Sequence, residues 1–445
     1  MKRVSSVTNI LSSSVALGFV LLGARGLAAA KDVIVSRTFG TSSELDAFLV
    51  AFGIMMFLAS MLSNAGASTL VPALARARND PDPFAEARLV VVAAGTAVLL
   101  GGAVALAAVL FRARLSSWIA PGFSTESAVA VQHLLILLTP VPALATLQGV
   151  ITSTLNARYG FRGAAAISAI TPLCTAASLL LSHHPTVGLL ALGTLIGLVT
   201  EIVCLCMLAR TQKIAIFTSV SWSNARRSVR GLARDFGPLV LGTALSSTSP
   251  LVDQAFASTA GPGAVSTLNY ANRLTALAMA IGISSIGLIA LPHFSDLAAR
   301  ESWREMRTLL HKLSAATFLL GLPATILLVV LSDFLIRLIF QHGHFKAADT
   351  MAVSSVQILY ALQIPFHLTG IVGVRALNSM RQNRTITLVV VCNVLWNVAA
   401  DYVFMKLFGL RGIALSTSST YLLSCLVILG CAEIELRKRA PVLAE

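Results

Sequence analysis

Apolar residues run through this chain in long blocks, and charged residues fall almost wholly in the short gaps between them. Blocks of this length exceed a strand or an ordinary core helix. They match the roughly 20 residues that a helix needs to cross a bilayer. The blocks predict spans over residues 9–29, 45–75, 88–111, 130–153, 163–182 and 186–209. After a polar stretch they predict six more, over 236–258, 264–292, 313–340, 351–377, 386–407 and 411–434. The expectation is an all-α membrane protein of about twelve transmembrane helices.

Composition agrees. Only 12% of the 445 residues are charged and 56% are hydrophobic. A soluble domain carries about 25% charged residues, so this chain lacks the polar surface that a water-soluble fold of its length needs. The net charge of +14 would point to nucleic acid in a soluble protein. Here the basic residues sit in loops and no basic face is interleaved with aromatics, so no nucleic-acid partner is expected. The six cysteines all lie in apolar runs, which predicts neither a disulfide framework nor a metal site. Lys2, Arg3 and Ala28-Ala29-Ala30 imitate a secretory signal, but the apolar stretch is long and holds Arg25. A signal h-region is about 7–15 residues, so a retained first helix is predicted.

Lysine and arginine set the orientation. With the N-terminus inside, 23 of the 33 fall on the cytoplasmic side and 8 outside. Arg25 and Arg273 lie inside spans. An even number of spans then puts both termini in the cytoplasm. The polar linker 210–235 divides an N-terminal bundle at 1–209 from a C-terminal bundle at 236–445. The halves resemble each other. Leu155-Asn156 recurs as Leu377-Asn378 and Phe123 as Phe345, both at an offset of 222, and Val71-Pro72 recurs as Leu291-Pro292 at 220. Six spans per half make these parallel repeats, an architecture of transporters that place the solute path between the halves.

An arginine at bilayer depth costs about 2.5–3.5 kcal/mol on insertion scales. A wet cavity or an anionic partner offsets that, and Arg25, near an outer helix end, could also snorkel. Two embedded arginines, one per half, suit a solute bearing phosphate or carboxylate. Asp46 opens the second span, where it either stabilises the helix start or pairs with Arg25 or Lys31 to close a gate. Lys31-Asp32, just beyond the first predicted span, serves that gate or sits among headgroups. Asp253, beside Gln254, is either a proton or cation site or a partner for Arg273. Glu201 and Asp401 read as bundle-facing polar groups. Pro140, Pro142, Pro172 and Pro323 can kink their helices, and Gly95, Gly101 and Gly102 read as close helix packing. His183-His184 reads as a solvated loop pair. No phosphate loop, zinc signature or nucleophile motif stands out, so a transporter is expected rather than an enzyme, with no cofactor.

Several blocks resemble the MurJ (MviN) family. They are Ala24-Arg25-Gly26-Leu27-Ala28-Ala29-Ala30-Lys31-Asp32, Phe39-Gly40, Asp46-Ala47-Phe48-Leu49-Val50-Ala51-Phe52, Val71-Pro72 and Ala120-Pro121-Gly122-Phe123. Tyr270-Ala271-Asn272-Arg273-Leu274, Leu291-Pro292 and Phe340-Gln341-His342-Gly343-His344-Phe345 complete the set. The resemblance runs over nearly the whole chain. It implies the multidrug/oligosaccharidyl-lipid/polysaccharide (MOP) exporter fold around a central cavity. It also implies flipping of lipid II, the undecaprenyl-pyrophosphate-linked peptidoglycan precursor, across the bacterial inner membrane. Carried over by position, Arg25, Lys31, Asp46 and Arg273 match charged residues of the family's central cavity. Together with the reading of the residues themselves, this makes Arg25, Lys31, Arg273 and Asn272 the substrate-binding candidates, Asp46 and Asp32 the gating candidates, and Asp253 the candidate for ion coupling. The expected partners are a lipid-linked oligosaccharide and membrane lipids, with the protein acting as a monomer. Coupling would be to the membrane potential or a monovalent cation. The chain departs from the family in two places. Ala59-Ser60 stand where members carry a basic pair, and about twelve spans are predicted where members have fourteen. Export of an exopolysaccharide lipid-linked unit, cation-coupled export of amphipathic drugs, and a membrane-embedded glycosyltransferase remain alternatives.

Overall fold

In a computed structural model, residues 2–79, 82, 84–158, 160–212, 214 and 222–439 are described. Within the predicted linker, 213 and 215–221 lie outside the described residues, and the side chains of Arg226, Arg227, Arg230 and Arg234 are likewise outside them. The chain forms two compact units, Met1–Phe39 with Ser43–Ser247, and Gly40–Ser42 with Thr248–Glu445.

The first unit begins with the long helices α1 (Lys2–Phe39) and α2 (Ser43–Arg78), then α3 (Ala85–Leu110) and the short α4 (Arg112–Ile119). Two broken helices follow, α5 (Thr125–Leu137) with α6 (Pro140–Ala157), and α7 (Phe161–Ile167) with α8 (Ile170–Leu180), and then α9 (Val187–Thr211). Helix α10 (Trp222–Ser258) carries the division between the units. The second unit continues with α11 (Ala264–Ala299), α12 (Trp303–Val330), α13 (Ser332–Phe340), α14 (Ala347–Ala361), α15 (Gln363–Ser379), α16 (Asn383–Phe408) and α17 (Leu410–Arg439).

Most of the order recurs, with short α4 and α13 in the same place and broken α5–α6 and α14–α15 after them, and so does the packing. Helix α2 lies on α5 and α6, α3 on α6, and α6 on α9; α11 lies on α14 and α15, α12 on α15, and α15 on α17. The duplicated unit read from three short sequence matches is therefore built into the helix contacts. Among the described residues, eight helices are long and apolar enough to cross a membrane, or nine if α5 and α6 form one bent span. The predicted first, seventh and eighth spans fall in α1, α10 and α11, which hold residues or side chains outside the described set.

Several boundaries differ from the sequence reading, and the predicted spans 163–182 and 351–377 are each built of two helices, α7 with α8 and α14 with α15. Helix α1 does not stop at residue 29 but runs to Phe39, so Lys31 and Asp32 lie within it. Helix α10 starts at Trp222, before the predicted 236, because the polar stretch there holds four arginines, Arg226, Arg227, Arg230 and Arg234, which are good helix formers. The predicted span 313–340 is two helices, α12 and α13, with Leu331 between them. The span 130–153 breaks after Leu138, with α5 and α6 bent by 47°. Pro140 and Pro142 supply no backbone N–H to the preceding turn, which releases its carbonyls. Ile136 O, four residues before Pro140, accepts instead from Thr139 Oγ1 at 2.6 Å, and Leu138 O, four before Pro142, accepts from Val141 N at 2.9 Å.

Corresponding glycines hold the two units at corresponding points. A Cβ on Gly101 of α3 would stand 2.6 Å from Ala143 Cα of α6, and one on Gly321 of α12 would stand 2.8 Å from Pro365 Cα of α15. Those atoms are backbone, so only a helix shift could make room, whereas Gly95 and Gly102 have open space. Overpacking costs about 1–3 kcal/mol. Gly101→Leu and Gly321→Leu should each lower the thermal unfolding midpoint in detergent by several degrees. An unchanged midpoint would refute the close approach.

Candidate functional site

The second unit contains a polar hollow of about 500 Å³, lined by Asp253 and Gln254 of α10, Asn269, Asn272 and Arg273 of α11, and Tyr360 of α14. Helix geometry explains the gathering. Asn269, Asn272 and Arg273 are three and four residues apart, so they share one face of α11. Arg273 is exposed, with Asn272 half-buried beside it. Arg273, Asn272 and Asp253, three residues singled out from sequence, thus line one cavity.

At the back of the hollow Asp253 is 8% exposed. Asn397 Nδ2 of α16 donates to its Oδ1 at 3.2 Å, and Thr417 Oγ1 of α17 donates to its Oδ2 at 3.2 Å. Asp401, fully buried one turn beyond Asn397, lies close enough for its charge to oppose that of Asp253. Two buried carboxylates side by side repel unless a proton or cation is shared between them. Asn397 Oδ1 and Gln254 Oε1 are buried with no hydrogen-bond partner. The donor set is all oxygen, which fits a hard cation. Among the described residues no group of three or more His, Cys, Asp or Glu could hold a metal ion.

The sequence reading treated Asp401 as a general polar group and did not single out Asn397 or Thr417. One signal could have found two of them: Asn397 and Asp401 are four apart, a polar pair on one face of an otherwise apolar span.

The remaining candidates belong to the first unit. Arg25 is half-buried on α1. Lys31 Nζ pairs with Asp32 Oδ1 at 2.8 Å, so its described ion pair is with its neighbour in the helix and not with Asp46. Asp46 is fully buried in the first turn of α2, where the helix dipole favours a carboxylate. Glu201, 2% exposed, accepts from Gln148 Nε2 and Thr171 Oγ1, both at 2.5 Å, and so joins α6, α8 and α9.

The sequence blocks shared with the MurJ family acquire a structural meaning in the second unit. Tyr270 packs its ring 5.3 Å from Phe340 and 5.6 Å from Phe345, and those two are 6.0 Å apart. Beside them Gly40 has φ +57°, and a Cβ there would meet His344 O at 2.6 Å. Thr41 Oγ1 donates to Asp349 Oδ1, whose other oxygen accepts from Lys346 N at 2.7 Å. Three of the blocks, those holding Gly40, Tyr270, and Phe340 with Phe345, thus meet around Gly40–Ser42.

Residues 35–441 match the family model for lipid II flippase MurJ. The chain is 26% identical over 442 residues to the lipid II flippase MurJ of Burkholderia cenocepacia, covering 95% of this chain and 82% of that protein. It is 24% identical over 397 residues to the probable lipid II flippase MurJ of Thermotoga maritima, covering 88% and 79%. A solved structure of lipid II flippase MurJ in an inward closed conformation matches with a TM-score of 0.80 at 22% identity, covering 94% of this chain and 87% of that one. An inward-facing multidrug resistance MATE family transporter of the MOP superfamily matches with a TM-score of 0.76 at 13% identity, covering 96% and 98%. The fold is that of the MOP superfamily, and with the family model spanning nearly the whole length, this multi-pass membrane protein belongs to the lipid II flippase MurJ family.

Proposed function

We propose that this protein moves lipid II from the cytoplasmic to the periplasmic leaflet of a bacterial inner membrane by alternating access, with both termini in the cytoplasm and no covalent step. The observation that carries this reading is the second-unit hollow, where Arg273 stands beside carboxamides in a chain of the MurJ family. A guanidinium fork pairs with two phosphate oxygens at once, and Asn272 and Asn269 can share hydrogen bonds with the same head. Arg25 and Lys31 are the first unit's candidate cations for the same anionic substrate. Asp46 and Asp32 act as gating carboxylates, with the Lys31–Asp32 pair exchanging partners as the gate moves.

Asp253 couples the cycle to a monovalent cation or a proton. The support is its pairing with Asn397 and Thr417, the adjacent buried Asp401, and the orphaned amide oxygens around it. Because Asp253 and Arg273 line one hollow, a cation bound at Asp253 withdraws a competing negative charge from the guanidinium. Cation entry therefore favours substrate binding.

A second reading, export of another undecaprenyl-linked glycan, is favoured by Ala59-Ser60, where the family's basic pair is missing. The test is purified protein in liposomes loaded with fluorescent lipid II on one leaflet, with transfer read by a quencher added outside. Transfer that needs the protein, and rises with an imposed cation gradient, is the expected result. No transfer of lipid II, with transfer of an exopolysaccharide lipid-linked unit, would select the second reading.

A further inference from the structure

The first unit contains a second hollow, of about 700 Å³, between α2, α3 and α6, with Phe236 of α10 on one side. Leu62, Gly66, Ala97 and Val150 give it apolar walls. Four hydroxyl residues also line it, yet each spends its proton on a backbone carbonyl. Ser63 donates to Ala145 O, Thr69 to Ala65 O, Thr96 to Val92 O and Thr146 to Pro142 O. With those hydrogen bonds made, the wall offers a ligand no unmet hydroxyl donor. Water in such a place would find hydroxyl acceptors but no hydroxyl donor, fewer than the partners that usually hold buried water, whereas a hydrocarbon chain needs none.

The repeat supplies an internal control. Thr146 of α6 corresponds to Leu368 of α15, at the offset of 222 seen elsewhere. Leu368 packs with Met279, Leu328 and Ile364 into a closed apolar cluster. Gly66 of α2 faces open space, whereas its counterpart at the α2-to-α11 offset of 220, Ile286 of α11, packs its side chain against that same cluster. The same corner of the duplicated fold is thus filled by side chains in one unit and left open in the other. A hollow that the repeat itself does not require calls for an occupant.

Its depth identifies that occupant. Gly66 lies ten residues before Arg76 at the basic end of α2, and Ala97 nine residues after Arg88 near the start of α3. At 1.5 Å per residue these are about 15 Å of helix. Positive-inside topology puts those arginines at the cytoplasmic face, so the hollow lies in the acyl region of the cytoplasmic leaflet. An amphipathic solute with its anionic head at the arginines would lay its tail there.

We propose that this hollow binds the polyprenyl tail of the lipid-linked substrate as it enters from the cytoplasmic leaflet. The proposal rests on the flippase reading above and adds to it where the tail is held. Gly66→Phe fills the hollow without a backbone clash, because a Cβ at Gly66 meets nothing within 4 Å. In the liposome assay it should raise the half-saturating concentration of full-length lipid II by about tenfold, equivalent to about 1.4 kcal/mol. An analogue whose tail is too short to fill the hollow should be unaffected. An equal effect on both, or on neither, overturns the proposal.

A second measurement does not depend on flipping. A photoactivatable polyprenyl phosphate in vesicles containing the protein should label peptides of α2 and α3, with competition by unlabelled polyprenyl phosphate and not by phosphatidylethanolamine. Labelling confined to other helices, or competition by phosphatidylethanolamine, means a bilayer acyl chain or nothing specific, and overturns it. If the unaltered protein moved no lipid II yet was labelled on α2 and α3, the flippase reading would fail while the tail site stood.

Discussion

Arg273→Ala is expected to cut lipid II flipping by about 30-fold or more while leaving the protein folded and inserted. Truncating one partner of a desolvated charge pair costs about 2–5 kcal/mol, and each 1.4 kcal/mol is about a tenfold effect. The physical reason for a selective loss is the position of Arg273. Its side chain is exposed and lines the polar hollow, so its removal leaves no core void. Arg273→Lys should recover part of the rate, because an ammonium keeps the charge but not the planar fork that matches two phosphate oxygens. The measurement is the initial rate of quencher-detected transfer, normalised to protein that elutes as a single species. Full activity in the alanine variant would remove the second-unit hollow as the anion site, whatever else the protein carries.

Asp253→Asn should abolish the response to a cation gradient. A single charge moving down 100 mV releases about 2.3 kcal/mol, which is about a fifty-fold bias in favour of export, and that bias disappears when the carboxylate is neutralised. Asparagine keeps the size of the side chain and can still hydrogen-bond to Asn397 and Thr417, so the hydrogen-bonded link between α10, α16 and α17 is retained. Flipping driven only by the substrate gradient should therefore persist. Asp401→Asn should give the same loss, since the two carboxylates act as one site, and the double variant should be no worse than either single one. A gradient response that survives Asp253→Asn would place coupling elsewhere.

Much of the architecture was legible because a membrane imposes a one-dimensional rule. Each span must be apolar over about 20 residues and must satisfy its own backbone. The helix positions, the repeat and the embedded Arg25 and Arg273 therefore appear in the sequence as block lengths, offsets and misplaced charges. The breaks were less legible. Pro140 and Pro142 announced one, yet nothing local separates α12 from α13 at Leu331, and the arginine-rich start of α10 resembles a loop until its helix propensity is weighed.

What the sequence determined by itself was the class of the protein, its spans, its duplication and the residue types fit to hold an anionic head, since all of these follow from hydropathy and charge along the chain. Tertiary structure alone decided which of those residues share a space. Asn397, Asp401 and Thr417 join Asp253 across three helices, Lys31 turns to Asp32, and one unit keeps open a corner that the other fills with Leu368. The reason is that side-chain meetings depend on the rotation and crossing of packed helices. Hydropathy carries the face each helix buries, but not the neighbour it meets there.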